Sequence, residues 1–402
     1  MAHPHQRGAL AAACLAVVAI ALVGGSGCGG EGSATLAHHR AAPHGAQRGD
    51  ANARPTTHRR QRPVRFTVSV SGDLLIHEPV WERALALGGG THYDFGAELA
   101  ELRPYVAHAD LGICHVETPM TPAPPASYPV FNTPPALAEG IAATGWDLCD
   151  TASNHSLDQG QTGVDDTGKA LEDAGVKHTG SFPSAAAQRT PLIAKIHGVK
   201  LAFLAYTTDT NGIPAPNPWS VNIASASRVL ADARRARKLG ADAVLVNLHW
   251  GGGIVPEYQQ QPSDGQLALA KKLLASHLIT AIVGQGPHAV QPIEHIGSKF
   301  VVFSEGNLIS NQSPDAGLSA VTQDGMVVLL HCVAGGGGVR VQDVRYVPVF
   351  VSHPDYEVLP VGDALDRSES GATQLRASYQ RTVGIIGRGK HIEPIPRQLH
   401  GG

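Results

Sequence analysis

The chain has 402 residues, enough to bury a large core in one big domain or two ordinary ones. Its formal charge of -3, with no basic cluster interleaved with aromatics, gives no ground for expecting a nucleic-acid partner. Twenty-one histidines stand out; several lie in the N-terminal tail, but others follow apolar runs where strands would end.

In chain order, "MAHPHQRGALAAACLAVVAIALVGGSGC" has a weakly basic start at Arg7, an apolar stretch from Ala9 to Val23, and small residues before Cys28. This layout predicts a secretory signal over residues 1–28, too short an apolar run for an ordinary membrane span. "GGSGC" resembles a lipoprotein cleavage box with Cys28 as the lipidated residue, although Gly25 replaces the usual Leu; ordinary cleavage and a retained anchor are the alternatives. Of the five cysteines, Cys114, Cys149 and Cys332 would then remain, an odd count that does not read as a disulfide framework. Residues 29–62 hold hardly an apolar side chain larger than Ala and read as a disordered tether. Stretched out, it would reach roughly 100 Å at about 3.3 Å per residue.

The globular part opens at Pro63, where "VRFTVSVSGD" alternates like a strand. Helix and strand patterns then alternate. "GAELAELRPYVAHAD" precedes "LGICHVE", "ALAEGIAATG" precedes "WDLCDTASNH", and "GVDDTGKALEDAG" precedes "VKHTG". Further on, "ASRVLADARRARKLG" precedes "ADAVLVNLHW" and "DGQLALAKKLLASH" precedes "LITAIVGQGPH". Such alternation predicts an α/β domain with a substantial parallel component. "KIHGVKLAFLAYT", "SKFVVFSEGN" and the Gly-interrupted run from Gly325 to Val351 read as hairpin or antiparallel strands, which makes the sheets mixed. The domain is expected over 63–356, followed by a C-terminal extension over 357–402 with a short helix in "GATQLRASYQRTVG".

Asp73 with His77, His115 with Glu117, Asn154 with His155, His249, and His288 all stand at expected C-terminal strand ends. Loops converge there in α/β sheets and ligands bind. Carboxylate, amide and imidazole donors without thiolates suit Mn, Fe or Zn as a divalent ion. Gly-Asp and Asn-His pairs are also ordinary turn chemistry, so the set carries the reading rather than any one member.

Taken in order, "VSGDLLIH", "ADLGICHVETPMT", "CDTASNHSLDQGQTGVDDT", "VLVNLHWGGGIVPEY", "GQGPHAVQPIE" and "VVFSEGNLI" resemble the motifs of CapA-type capsule or poly-γ-glutamate synthesis proteins. The resemblance covers about residues 64 to 350. It implies a metallophosphoesterase-like four-layer α/β/β/α sandwich with a site for one or two divalent ions. Asp73, Glu117, Asn154, His249 and His288 would be ligands and His155 the proton donor to a leaving group. Two positions depart from the family pattern. Gln285 stands where a histidine is usual, and His115 replaces an Asn, adding a ligand or packing. His77, His115, Gln285 and Asn307 complete the candidate set, Asn307 as a support for the loop.

The implied protein is exported and lipid-anchored on the outer face of the cytoplasmic membrane, a metal-dependent hydrolase of phosphate ester or amide bonds. Its expected partners are an anionic polymer or phosphorylated substrate, and a membrane polymer synthase. The alternative is a non-catalytic component that binds or exports the polymer.

Overall fold

The computed structural model describes residues 62–251, 256–367 and 371–399. The signal-like segment, Cys28 and the tether up to residue 61 lie outside the described residues. Among the described residues no helix is long and apolar enough to cross a membrane.

Two sheets are built in a there-and-back path. The chain lays down β1 (Val64–Leu74), β2 (Leu111–Val116), β3 (Leu148–Asp150) and β4 (Lys177–Thr179) in the first sheet. It crosses to the second for β5 (Leu192–Ile196), β6 (Val199–Thr207), β7 (Ala243–His249), β8 (Ala281–Gln285), β9 (Ile293–Ile296) and β10 (Lys299–Val302). It then returns with β11 (Asn307–Ile309), β12 (Asp324–Gly335), β13 (Gly338–Val351), β14 (Val358–Pro360) and β15 (Ile392–Pro394). The first sheet runs β14-β13-β12-β1-β2-β3-β4, with β11 beside β1 and β15 beside β13; the second runs β5-β6-β7-β8-β10-β9. β1 to β4 pair in parallel, as do β6 to β8, whereas β12 and β13 form a long antiparallel hairpin.

Parallel strands covered on both faces read as near-continuous apolar runs, and each face takes every second residue. Phe66, Val68, Val70 and Ile113 point between the sheets and meet Leu201, Phe203, Leu245 and Val283 there. The other parity of the first sheet, including Cys114, Val116 and Val349, packs on Val80, Phe95, Leu137 and Ile141 of helices Glu78–Leu87, Phe95–Glu98 and Leu137–Thr144. In the second sheet Val244, Val246 and Ile282 pack on Val229, Ala233 and Leu273 of helices Ala226–Lys238 and Asp264–Leu274. The result is the four-layer α/β/β/α sandwich expected from the sequence.

Three local expectations are corrected. "GAELAELRPYVAHAD" is not one helix but three short turns, Phe95–Glu98, Ala100–Leu102 and Arg103–Val106. Pro104 lacks an N–H and its ring clashes with the preceding turn, so it sits at the start of the last piece rather than inside a longer helix. Cys114 and Cys149 form a disulfide across the paired strands β2 and β3, with Cα atoms 4.5 Å apart, leaving Cys332 as the buried free thiol. Counting residues could not show this, because the bridge depends on the parallel register. The segment after 356 is no appendage: β14 and β15 pair with β13, and helix Ala372–Ile386 packs Leu375 and Tyr379 against Phe350 and Leu359.

Arg381 of that helix donates from Nε and Nη2 to both carboxylate oxygens of the buried Asp324, at 2.6 and 2.7 Å. Removing the guanidinium leaves a buried carboxylate unpaired. Arg381→Met should therefore lower unfolding free energy by about 3 kcal/mol in denaturant titrations.

Glu98, at the end of a short helix, is buried and neither of its carboxylate oxygens meets a hydrogen-bond donor. Burial, only partly offset by Arg83, pushes its pKa up to about 9 from an ordinary 4.5. The stability this group contributes is present in full below pH 4.5, where folded and unfolded chains are both protonated, and is lost as pH rises toward 9. Glu98→Gln should flatten the pH dependence of unfolding across that window and make the variant about 3 kcal/mol more stable than the parent at pH 8.

Candidate metal centre and cleft

The parity that builds the apolar layer also aims the polar residues. On β2, Leu111 and Ile113 face inward, so His115 does too; on β3, Leu148 is followed by Asp150. On β7, Ala243 and Leu245 lead to Asn247 and His249, and on β8 Ala281 and Val283 lead to Gln285. The inter-sheet layer thus changes from apolar to polar at its C-terminal end. Asp73 needs a further device, since Phe66, Val68 and Val70 would put it on the opposite face. A register shift between Val70 and Asp73 re-aims it and sends Leu74 outward. Parallel pairing then aligns Asp73 with His115 and Asn307, His115 with Asp150, and His249 with Gln285.

Glu117 lies just past β2, and its main chain is held by Glu117 N–H donating to the Leu74 carbonyl at 3.3 Å and by Ser153 Oγ donating to the Glu117 carbonyl at 2.6 Å. His288 is reached through a turn. Gly286, at φ 101°, makes the bend, and His288 itself stands at φ 53°. Gly284, three residues after Ala281, is still within the strand; a Cβ there would press on the Phe303 carbonyl and the Trp250 ring.

These elements bring Asp73, Glu117, His288, His249 and His115 together. His288 places Nδ1 3.2 Å from Asp73 and Nε2 3.6 Å from Glu117. His115 Nε2 lies 3.6 Å from Asp73 and 3.0 Å from His249 Nδ1, while His249 Nε2 is 2.9 Å from Asn154 Oδ1. Asp73, His115 and His249 form one group with ligand atoms within 4.8 Å of one another, and Asp73, Glu117 and His288 a second. All five are buried, yet both carboxylate oxygens of Asp73 and both of Glu117 lack any hydrogen-bond partner. Four unsatisfied anionic oxygens beside imidazole nitrogens are the donor set a divalent ion needs, so the residues fit the implied metal.

Burial pushes Glu117 up to about 7, against the pull of His288. For His288 burial acts downward, but Glu117 and Asp73 outweigh it and hold the imidazole at about 10. His115 is likewise held at about 9, Asp150 overcoming burial. His249 falls well below its ordinary value through burial and then through His115 and the other histidines around it. A neutral His249 is ready to act as a ligand.

Asn307 accepts from His288 Nδ1 at 3.0 Å and anchors its own amide on Gln312 and the Thr322 carbonyl. Gln285 is engaged by Asn247 and Glu305. Its Nε2 donates to Asn247 Oδ1 and Glu305 Oε2 at 2.9 and 2.7 Å, and its Oε1 accepts from Asn247 at 2.8 Å. Both ends of that amide are hydrogen-bonded, and through Asn247 it braces the second sheet. His77 is half-buried on the cleft wall, its ring edge-on to Phe131, and burial lowers it to about 4.

Sequence reasoning missed Asp150, Asn247 and Glu305. Asp150 holds His115 Nδ1 at 2.9 Å and accepts from Asn247, and Glu305, pushed up by burial to about 8, supports Gln285. The two-residue alternation of "LCD" and "LVNLH" was the available signal for the first two.

Above the cluster opens a cleft of about 770 Å³, with Asn154, His155 and His288 in its lining. His155 Nδ1 is 2.8 Å from Asp158, whose same oxygen accepts from Phe131 N–H at 2.7 Å. Asp158 therefore shapes the loop and also holds the imidazole.

Over 333 residues the chain is 26% identical to the capsule biosynthesis protein CapA of Bacillus anthracis, covering 80% of this chain and 75% of that one. To the PGA biosynthesis protein CapA of Bacillus subtilis it is 27% identical over 193 residues, spanning about half of each (48% and 48%). Among solved structures, a 5'-nucleotidase precursor from Thermus thermophilus is similar with a TM-score of 0.46 at 12% identity, over 80% of this chain and 59% of that one. Residues 67–312, more than half of the chain, match the bacterial capsule synthesis protein PGA_cap, and the chain belongs to that family.

Proposed function

We propose that the protein is a metal-dependent hydrolase of the cell envelope that cuts a phosphate ester or amide bond during capsule or poly-γ-glutamate assembly. The observation that carries this reading is the set of unpartnered buried oxygens of Asp73 and Glu117 among His115, His249 and His288, directly under an open cleft. Asp73, Glu117, His249 and His288 would hold the ion, with Asn154 and His115 beside them. When bound, one or two such ions supply a nucleophilic hydroxide at neutral pH and offset charge on the reacting group. His155 contributes a proton. With Nδ1 tied to Asp158, Nε2 is the nitrogen left to protonate the leaving oxygen or nitrogen as water adds to the phosphorus or carbonyl centre.

Export is supported by the signal-like N-terminus and by the Cys114–Cys149 disulfide, since such bridges persist in oxidising compartments. Cys28 would then be the lipid attachment point, and the tether would carry the domain toward a membrane synthase.

Metal analysis of the purified full chain should find Mn, Fe or Zn. Asp73→Asn and Glu117→Gln should weaken binding by more than the roughly 10–100-fold typical of changes one shell further out. A parent protein with no bound metal, and no activity on bis(4-nitrophenyl) phosphate or poly-γ-glutamate under Mn²⁺, Fe²⁺ or Zn²⁺, would sink the proposal.

His155→Ala should lower kcat by about 10²–10⁴ while metal content stays at the parent level. Asp158→Asn should cost less, because it leaves the imidazole in place but loosens its hold. Equal losses of metal and rate in His155→Ala would assign that residue to the metal instead.

A further inference from the structure

The cleft carries a charge pattern that its family relationship does not foretell. Among the described residues lining it there is no lysine and no arginine; the carboxylates are Asp158, already engaged by His155, and the exposed Glu257. A long polyanion lying along this surface would meet no fixed cation beyond the metal floor and its histidines. Polyanion grooves ordinarily supply Lys or Arg along their length, because each neutralised charge adds to affinity.

The rim offers something else. Tyr128 is 75% exposed and Val130 44% exposed, two of the few large apolar side chains left in water, and both line the cleft with Phe131, Ile213 and Leu318. Phe131 is fully buried, with the rings of His77 and His155 edge-on to it at 5.2 and 4.7 Å. This wall is therefore braced from below, while Tyr128 presents a free aromatic surface above. Aromatic and aliphatic walls with a few convergent polar groups are the usual lining of a site for a compact, partly apolar ligand.

We infer that the cleft accepts one anionic phosphoryl group at its floor joined to an uncharged, ring-bearing body, a glycosyl or aryl group, packed against Tyr128, Val130 and Leu318, and that it discriminates against an extended polycarboxylate. The inference rests on the hydrolase reading for the position of the phosphoryl group, and it narrows the substrate class of that site. Capsule assembly would then use the protein on a glycosyl phosphoester rather than on the polyglutamate backbone.

Binding, read separately from turnover, tests it. The Mn²⁺-supplemented full chain is titrated calorimetrically with inorganic phosphate, phenyl phosphate, glucose 1-phosphate and a γ-linked glutamate decamer. The two ring-bearing phosphates should bind at least about tenfold more tightly than inorganic phosphate or the decamer. Tyr128→Ala and Leu318→Ser should remove most of that advantage with metal content and thermal unfolding unchanged, and Leu318→Lys should improve decamer binding. A decamer that binds as tightly as the ring-bearing phosphates overturns the inference, as does an unchanged ranking in the rim variants or binding of none of the four. Correct ranking without hydrolysis of any ester would leave the inference standing and remove the hydrolase reading instead.

Discussion

Two carboxylates buried away from water, none of whose oxygens accepts a hydrogen bond, set the terms for the rest of this molecule. Burying a carboxylate costs several kcal/mol unless its charge is offset, and here the offset comes from imidazoles, with His288 3.2 Å from Asp73 and 3.6 Å from Glu117. The surroundings would also suit a divalent ion. His288 and His249 present nitrogens to the cluster, Asn307 fixes the His288 ring, and Asp150 fixes the ring of His115. Such outer partners orient ligands and set their tautomers. The whole fold can be read as the framework that brings one end of two apolar sheets to this point.

The periodicity of the strands made much of this visible in advance. Alternating helix and strand patterns lead to the α/β/β/α layers, and residues at strand ends lead to Asp73, His115, Glu117, Asn154, His249 and His288, all of which lie close together. What remained hidden depended on neighbours distant in sequence. Asp73 faces inward only because β1 shifts register, which no count of alternating residues reveals. Gln285 is spoken for by Asn247 and Glu305, each on a different strand or loop. Cys114 and Cys149, 35 residues apart, become partners through parallel pairing alone.

That disulfide also bears on the site's order. It joins β2 and β3 one residue before the His115–Asp150 pair, on the opposite, helix-facing side of the same strands. A cross-link closing a loop of this length constrains the unfolded chain by about 4 kcal/mol in the chain-entropy model. Its position also pins the register on which the His115–Asp150 contact depends, since a one-residue slip would turn His115 away from Asp73. β3 has only three residues and makes few ladder hydrogen bonds of its own, so covalent fastening has more to hold here than it would in β1 or β13.

The same logic explains why the C-terminal segment belongs to the domain. β12 flanks β1, the strand that delivers Asp73, β13 lies beyond β12, and the outer edge of β13 needs a partner. β14 and β15 supply it at two places along β13, and helix Ala372–Ile386 clamps β12 through the Arg381–Asp324 pair. Asp324 is the first residue of β12, and the following Gly325 abuts the Asn307 carbonyl, close to the anchor of His288. A contact made by residue 381 therefore supports the strand beside the candidate metal site. The cleft and its ligands occupy only one end of the sandwich, but their geometry is held from both sheets and from the last helix of the chain.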